Sequence, residues 1–492
     1  MATLTTTARL SYNLTRKGQI NVPGITAASK KAVEELLLTD AEKHHCYFRS
    51  AGLHNHLSHH LLAAYDLGAT ASHFKKVYDV EAKIQRPIVL EERDSTISVN
   101  DGNWIQYLGN QSAYAAYFSF FSEKVAALGP SSALEKFVFE QSVNDHGNEM
   151  LVRMMSGALH PIIQIGYGLE FGNDTLVATG LAQTAIHSPT TPEVYCHNFT
   201  TDPSSNAVPG ISVLEILRKV YDSEALHPVM PYDPNALFTT RVKQVVEPHR
   251  VKEIRKLVSS FDIDIKGGEK EFASKVEEFI WAATLLMAAT GKKGKKPRLD
   301  FFLMHLVTSS LFLNPFLHAL ENPVSKANLL RSFLSSVILL TLARGRPRID
   351  PELLLSYTAT PRPPKSSLSS SKSALGSVEE DQDYNPWPAI LQDAVYHPDA
   401  HVLKTIRTLV YGATHYGTTP AGKAAGAFLK PSSTGQEVES HQGAGKLDGT
   451  IFVRAAGMVM DYMGWVVNGQ EARPDWDRSA LGWDEAWEKD VD

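Results

Sequence analysis

The sequence is poor in cysteine and lacks long apolar runs, and each absence excludes a class of protein. Two cysteines, Cys46 and Cys196, stand in 492 residues, which is too few for a disulfide framework and fits a reducing compartment. Neither belongs to a Cys-x-x-Cys pair, so a zinc site built from paired thiolates is excluded. The most apolar stretches, 279–290 and 333–343, fall short of the roughly 20 residues that a membrane-spanning helix needs.

The sequence also has little excess charge of either sign. The formal net charge is −6, and the only dense basic cluster is at 292–296, between two helical patterns. A solvated loop explains that cluster, so we expect no nucleic-acid or membrane partner. No secretory segment and no peroxisomal signal are recognisable, which predicts a cytoplasmic protein. The oligomeric state stays open, and a homo-oligomer is among the alternatives.

Nucleotide-binding and hydrolase fingerprints are absent. Gly166, Gly168 and Gly172 come close to a dinucleotide motif, but the last glycine is one position late and no strand precedes them. Glycines in a tight turn are the better explanation. No phosphate-binding loop and no nucleophile elbow occurs. A flavin or NADPH enzyme therefore has no support from motifs.

The pattern that is present is helical. Apolar residues recur at helical spacing, and no period-two alternation is sustained over several segments. With 43% hydrophobic residues, the chain has ample material for a large core. We predict an all-α fold, a multi-helix globular bundle with a metal site in its core. We expect one domain over residues 1–492, with a low-complexity insertion at about 361–382 and a flexible loop at about 425–445.

Histidines are concentrated in one stretch, 54–68, which holds four of the nineteen. The stretch has helical spacing, and Gly68 is a plausible stop. On a helix, His56 and His60 share a face because they are four residues apart, so both imidazoles could reach one metal ion. His59 points about a hundred degrees away. The stretch is interpreted as half of a metal site.

Other histidines supply the remaining candidates. His160 stands before Pro161, which predicts a helix end at that point. His305 lies inside a very apolar helix, where an imidazole needs a partner. Each alone is more often a hydrogen-bonded core histidine than a ligand. Several of them on different helices favour a metal site, because helical proteins build such sites from inward-facing side chains.

His401 and Lys404 are three residues apart on one predicted helix. A surface lysine is the simple interpretation of Lys404. Near neutral imidazoles, however, desolvation and a nearby cation would lower its pKa. The free amine could then add carbon dioxide and become a carbamate, which is an anionic oxygen ligand.

An aromatic stripe lies on the predicted helix at 113–125. The stripe either faces the core or lines a pocket for a flat ligand. Its members are Tyr114, Tyr117, Phe118, Phe120 and Phe121.

Four segments together resemble the fungal questin oxidase-like family, whose members act in aromatic polyketide pathways. They span residues 54–69, 156–171, 305–310 and 399–407. The resemblance implies oxidative opening of an anthraquinone-type ring, with dioxygen as co-substrate and a planar aromatic polyketide as substrate. It also implies a non-haem Fe(II) held by histidines and a carbamylated lysine. The ligand candidates are then His56 or His60, His160, His305, His401 and Lys404.

Within this hypothesis, catalytic roles fall to three further residues. Tyr114 is expected to stack on the planar substrate together with its neighbours on the stripe, Tyr117 and Phe118. Thr308 or Ser309, one turn from His305, is expected to orient bound oxygen or a substrate hydroxyl. Three alternatives stay open: a flavin- or NADPH-dependent Baeyer–Villiger monooxygenase on the same substrates, a zinc hydrolase that uses the same histidines, and a non-enzymatic helical scaffold.

Overall fold

The prediction of a helical protein is confirmed. The computed structural model describes residues 10, 12–49, 52–197, 210–261, 263–364, 373–430 and 437–488. Across those residues it contains helices and isolated β-bridges but no β-strand. The α-helices are α1 (Ala27–Lys43), α2 (Leu57–Asp66), α3 (Ala71–Glu81), α4 (Tyr114–Leu128), α5 (Pro130–Leu134), α6 (Met150–Phe171), α7 (Asp174–Ile186), α8 (Val213–Asp222), α9 (Phe238–Val245), α10 (Pro248–Ser259), α11 (Gly268–Ala288), α12 (Phe301–Ser310), α13 (Leu313–Ala319), α14 (Pro323–Ala343), α15 (Pro351–Leu355), α16 (Trp387–Tyr396), α17 (Ala400–Tyr416) and α18 (Ile451–Met463).

The chain divides into two compact units. The first comprises residues 1–210, 262–276 and 311–336, and in it α7 packs on both α6 and α4. The second comprises 211–261, 277–310 and 337–492, and in it α17 packs on α12 and α18. The prediction of one domain over residues 1–492 stays a prediction.

The histidine-rich helix is shorter at its start than predicted. The Asn55 side chain accepts a hydrogen bond from the Leu57 backbone N–H, so α2 begins at Leu57 and His56 takes the N-cap position. The helix ends before Gly68, whose φ is +83°. This confirms the predicted stop, because glycine adopts a left-handed conformation without strain.

Helix α6 is interrupted immediately before His160. Residues 156–159 leave the helical conformation, and Gly157, Ala158 and Leu159 have φ of 58°, 52° and 68°. Pro161 then lies in the first turn of the second helical segment, where its missing N–H costs nothing. The predicted helix end at His160 is therefore confirmed.

The tight turn predicted for the three glycines that follow is wrong for two of them. Gly166 and Gly168 lie inside α6. A Cβ at Gly166 would come within 2.4 Å of the Phe312 ring, and one at Gly168 within 2.7 Å of the Val177 backbone. Both glycines therefore allow close packing against neighbouring helices. Only Gly172, with φ of +63°, ends the helix.

The two predicted loops are described in part. Residues 365–372 of the insertion and 431–436 of the second loop lie outside the described residues. The described flanks of the second loop are joined by backbone hydrogen bonds. The Leu429 N–H donates to the Val438 carbonyl and the Ser440 N–H to that of Ala427.

Two helical segments are long and apolar enough to cross a membrane by length and composition. They are Phe301–Ala319 and Pro323–Ala343, whose most apolar windows are 83% and 89% buried within the protein. Burial of this extent is typical of core helices, so they are weak evidence for a membrane protein.

Candidate metal centre

The first pair of imidazoles consists of His56 and His160. Their Nε2 atoms are 2.9 Å apart. The Nδ1–H of His160 donates to the Gly157 carbonyl at 2.6 Å, so the lone pair of a neutral His160 lies on Nε2. The interruption of α6 at residues 156–159 includes Gly157, whose carbonyl lies within reach of the His160 ring three residues later.

The second pair consists of His305 and His401. Their ring centroids are 5.1 Å apart. The Nδ1–H of His305 donates to the Phe301 carbonyl at 2.7 Å, one turn earlier on α12, which again leaves the lone pair on Nε2. Burial lowers the pKa of His305 well below its usual value, and the charges of His401 and Lys404 lower it further. His305 is therefore neutral at neutral pH, as a metal ligand must be.

Asp399 fixes the ring of His401. Its Oδ1 accepts from the His401 backbone N–H at 2.9 Å and from His401 Nδ1 at 2.7 Å, and its Oδ2 accepts from Trp476 Nε1 at 2.9 Å. Burial alone would raise the pKa of Asp399, but the charge of His401 and these hydrogen bonds lower it far below its usual range. The carboxylate is thus charged, and it directs Nε2 of His401 away from itself.

His56, His160, His305 and His401 form one group that could hold a metal ion. Each offers one ring nitrogen, and the four atoms lie within 4.8 Å of one another. The donor set fits a metal, because three of the rings donate Nδ1–H to an oxygen and present Nε2 to the group. The Nε2 atoms of His56 and His160, 2.9 Å apart, are close enough for one ion to bind both. Imidazole suits iron, zinc, copper and nickel alike, so these four residues alone do not select the metal.

Lys404 is buried one turn after His401 on α17. Its exposed fraction is 2%, which is rare for a lysine. Its charge contributes to lowering the pKa of both His305 and His401, after burial itself. Lys404 therefore lies close enough to act on both imidazoles.

His60 and His59 have other partners. Nδ1 of His60 contacts Oε1 of Glu81 on α3, and His60 is not in the four-histidine group. Nε2 of His59 lies 2.8 Å from Oε1 of Gln164. Of the two ligand candidates on this stretch, His56 belongs to the group described above and His60 does not.

The three predicted catalytic residues lie in ordinary core environments. The hydroxyls of Thr308 and Ser309 donate to the His305 carbonyl, at 3.2 and 2.6 Å. Tyr114 packs on His45, with ring centroids 4.6 Å apart, and lines a cavity of about 30 Å³. This volume admits a water molecule or two, not a three-ring substrate. The catalytic roles of all three residues stay predictions.

Most of the aromatic stripe on α4 belongs to the core. Tyr117, Phe120 and Phe121 are buried, and their rings pack with each other and with Trp104. The Tyr117 hydroxyl donates to the Trp104 carbonyl at 2.5 Å. Of the two alternatives for the stripe, a core face or the lining of a ligand pocket, the core face describes these three side chains.

Sequence reasoning missed the residues that surround the candidate ligands. Asp399 could have been found, because an aspartate directly before a predicted helix is a common N-cap. Here the same carboxylate also contacts the His401 ring. Gly157, His54 and His187 gave no signal as supporting residues, because their contacts depend on the left-handed interruption of α6.

Known proteins are similar to this chain over most of its length. The family model described as questin oxidase-like matches residues 53–409. The questin oxidase of Aspergillus terreus is 26% identical over 78% of this chain and 80% of its own. The Baeyer–Villiger monooxygenase dmxR6 of Cryptosporiopsis sp. is 29% identical over 63% of this chain and 68% of its own. The oxidoreductase AflY of Aspergillus parasiticus is 27% identical over 80% and 74%. The chain therefore belongs to the questin oxidase-like family and is an oxidoreductase.

Proposed function

We propose that this protein is a non-haem iron oxygenase that opens the central ring of an anthraquinone-type polyketide. The group of four histidines carries the proposal. The names of the relatives support it, because one acts on questin by name and another is a Baeyer–Villiger enzyme. A Baeyer–Villiger insertion beside a quinone carbonyl gives a lactone, and opening that lactone cleaves the ring.

His56, His160, His305 and His401 would hold the iron through ring nitrogens. Bound iron supplies a centre that reacts with dioxygen. Neighbouring residues hold three of these imidazoles in the tautomer that a metal ligand needs. Gly157, Phe301 and Asp399 accept Nδ1–H from three of the rings, so the ligands need no change of tautomer on binding iron.

Lys404 would supply an anionic ligand as its carbamate. In that step the neutral amine attacks carbon dioxide, a nitrogen–carbon bond forms, and one proton is released to solvent. Burial of a lysine ammonium beside neutral imidazoles is unfavourable, and the carbamate replaces that cation by an anion that matches the charge of iron. The proposal rests on the burial of Lys404 and on its position one turn after His401 on α17.

The electron balance distinguishes two substrate forms. An unsubstituted anthraquinone, dioxygen, two electrons and two protons give a lactone and one water, because one oxygen atom is inserted and the other is reduced. Addition of water to the lactone then gives a hydroxybenzoyl-benzoic acid. A quinone substrate therefore requires a reductant such as NADPH. The corresponding hydroquinone carries the two electrons and two protons itself and requires no reductant.

Metal analysis combined with turnover tests the proposal. Protein purified without oxygen should contain about one iron per chain, and with ¹⁸O₂ it should convert an emodin-type hydroquinone to a ring-opened acid that contains one ¹⁸O atom. Lys404→Ala should lose iron and turnover, whereas Lys423→Ala, which changes an exposed lysine, should keep both.

Other outcomes identify the alternatives. Full turnover by a metal-free preparation would overturn the proposal. A flavin absorbance band that accompanies the activity would favour the flavin monooxygenase. Oxygen-independent turnover with bound zinc would favour a hydrolase.

A further inference from the structure

A second, buried layer of rings lies behind His160. The rings of His54 and His160 are stacked, with centroids 3.8 Å apart and planes within 6°. The ring of His187 is parallel to that of His54 within 5°, with centroids 5.0 Å apart and Nε2 atoms 2.8 Å apart. His54 and His187 therefore lie edge to edge and form one flat surface against which His160 is packed.

The hydrogen bonds in this layer have a defined direction. Nδ1–H of His187 donates to the Gln183 carbonyl at 2.6 Å, so Nε2 of His187 is an acceptor. It faces both the Tyr47 hydroxyl, at 3.0 Å, and Nε2 of His54, at 2.8 Å. Burial is the main cause that lowers the pKa of His187 to about 4, so the acceptor stays unprotonated at neutral pH. The Tyr47 hydroxyl and, in its Nε2–H tautomer, His54 can each donate to this single lone pair.

Gly157 connects this layer to His160. Its φ is +58°, and a Cβ built on it would lie 2.4 Å from Nε2 of His187 and 2.9 Å from Cε1 of His54. Its carbonyl accepts from Nδ1 of His160. The backbone at Gly157 therefore passes close to both rings of the layer and presents the acceptor that orients His160.

We propose that Tyr47, His54 and His187 are positioning residues that hold the ring plane and the tautomer of His160. His54 contacts the face of the His160 ring, His187 holds His54, and Tyr47 completes the hydrogen bonding of His187. The inference deepens the proposed function, on which it rests for the role of His160 as a ligand.

Substitutions of His187 separate hydrogen bonding from bulk. His187→Phe keeps a ring and removes the acceptor, whereas the side-chain oxygen of His187→Gln can replace Nε2 as acceptor. Tyr47→Phe removes one hydroxyl, and Tyr195→Phe is the matched control, because Tyr195 is a buried tyrosine whose hydroxyl contacts Ser336. All variants are made in the full chain.

Two readouts are measured on each variant. The first is Co²⁺ affinity by competition with a chromophoric chelator, together with the visible Co²⁺ spectrum. We expect His187→Phe to weaken Co²⁺ binding by roughly 10- to 100-fold, as removal of a partner behind a ligand commonly does, and His187→Gln to restore most of it. Tyr47→Phe should have a smaller effect of the same sign, and Tyr195→Phe none.

The second readout is independent of metal. In metal-free protein labelled with ¹⁵N-histidine, His160 should show the Nδ1–H tautomer alone, and His187→Phe should convert it to a mixture that His187→Gln reverses. Unchanged His160 signals in His187→Phe would overturn the inference whether or not metal binds. Wild-type protein that binds neither Co²⁺ nor Fe²⁺ would instead refute the proposed function, and the His160 signals would still decide the inference. A lower melting temperature with unchanged affinity and tautomer would show a structural role only and would also overturn it.

Discussion

At the scale of single residues, the partner of Nδ1 decides what each candidate ligand can do. Three imidazoles use Nδ1–H on an oxygen acceptor, and only one of those acceptors, Asp399, is a side chain. The sequence predicted five histidines as candidate ligands, of which His56 and His60 were alternatives. It could not separate His56 from His60, because that choice depends on the hydrogen bond between Leu57 and Asn55 and on the contact of His60 with Glu81.

Asp399→Asn tests the carboxylate behind His401. The amide removes the negative charge and can present N–H₂ to Nδ1, so the orientation of the ring is lost. We expect metal affinity to fall roughly 10- to 100-fold, measured by chelator competition. Asp475→Asn, which alters an exposed ion pair with Arg478, is the control. Equal affinities for the two variants would contradict the role assigned to Asp399.

Gly157→Ala tests the close approach at the interruption of α6. The added methyl would overlap His187 and His54 and would strain a residue with positive φ, so we expect a loss of about 2–4 kcal/mol in the free energy of unfolding. Gly147→Ala is the matched control, because Gly147 also has positive φ (+81°) but a Cβ added there would meet no atom within 4 Å. It should lose only about 1 kcal/mol. Urea unfolding measures both, and equal losses would argue against the clash.

At the scale of elements, helical periodicity predicted that helices exist but not how closely they approach. The aromatic pattern on α4 and the apolar pattern around His305 both correspond to buried helices. The turn predicted at Gly166 and Gly168 is wrong because a glycine at a helix contact and a glycine in a turn look alike in one sequence. The structure shows why glycine is needed at both positions: Phe312 lies against Gly166, and the α7 backbone lies against Gly168.

Gly166→Ala should destabilise the protein although alanine favours helices. Helix propensity alone would stabilise by up to about 1 kcal/mol. The clash with the Phe312 ring, whose nearest atom would lie 2.4 Å from the new Cβ, should outweigh it and give a net loss of about 1–3 kcal/mol. Gly102→Ala, in an exposed turn, should change the free energy of unfolding by less than about 0.5 kcal/mol. A stabilised Gly166→Ala in urea unfolding would contradict the packing explanation.

At the scale of the whole molecule, the convergence of residues 56, 160, 305 and 401 is what a sequence cannot supply. Consecutive members of this group are separated by about a hundred residues or more along the chain. No local sequence pattern encodes a contact over such a distance. The resemblance to the questin oxidase-like family suggested these residues as ligands. Only the structure shows that one ring nitrogen of each lies close to the other three.

Buried neutral histidines should make the whole fold sensitive to acid. Burial is the largest cause that lowers the pKa of His45, His187 and His441 to about 4, whereas the pKa in the unfolded chain is about 6.5. Between these values the unfolded state binds protons that the folded state does not, so stability is lost as the pH falls from about 6.5 to about 4.

Each such histidine can contribute a loss of up to roughly 3 kcal/mol at pH 4. His441→Gln, which lies outside the metal group, should therefore flatten the dependence of the urea midpoint on pH. His249→Gln, at an exposed position, should leave the slope unchanged. Identical slopes for wild type and His441→Gln between pH 6.5 and 4 would contradict the effect of burial.

The most direct test of the account is an anomalous difference map from crystals of anaerobically purified protein, measured at the iron absorption edge. The account predicts one peak bonded to ring nitrogens of His56, His160, His305 and His401, with continuous density from Lys404 to the metal. Iron bound elsewhere, or no peak at these four nitrogens in active protein, would contradict it.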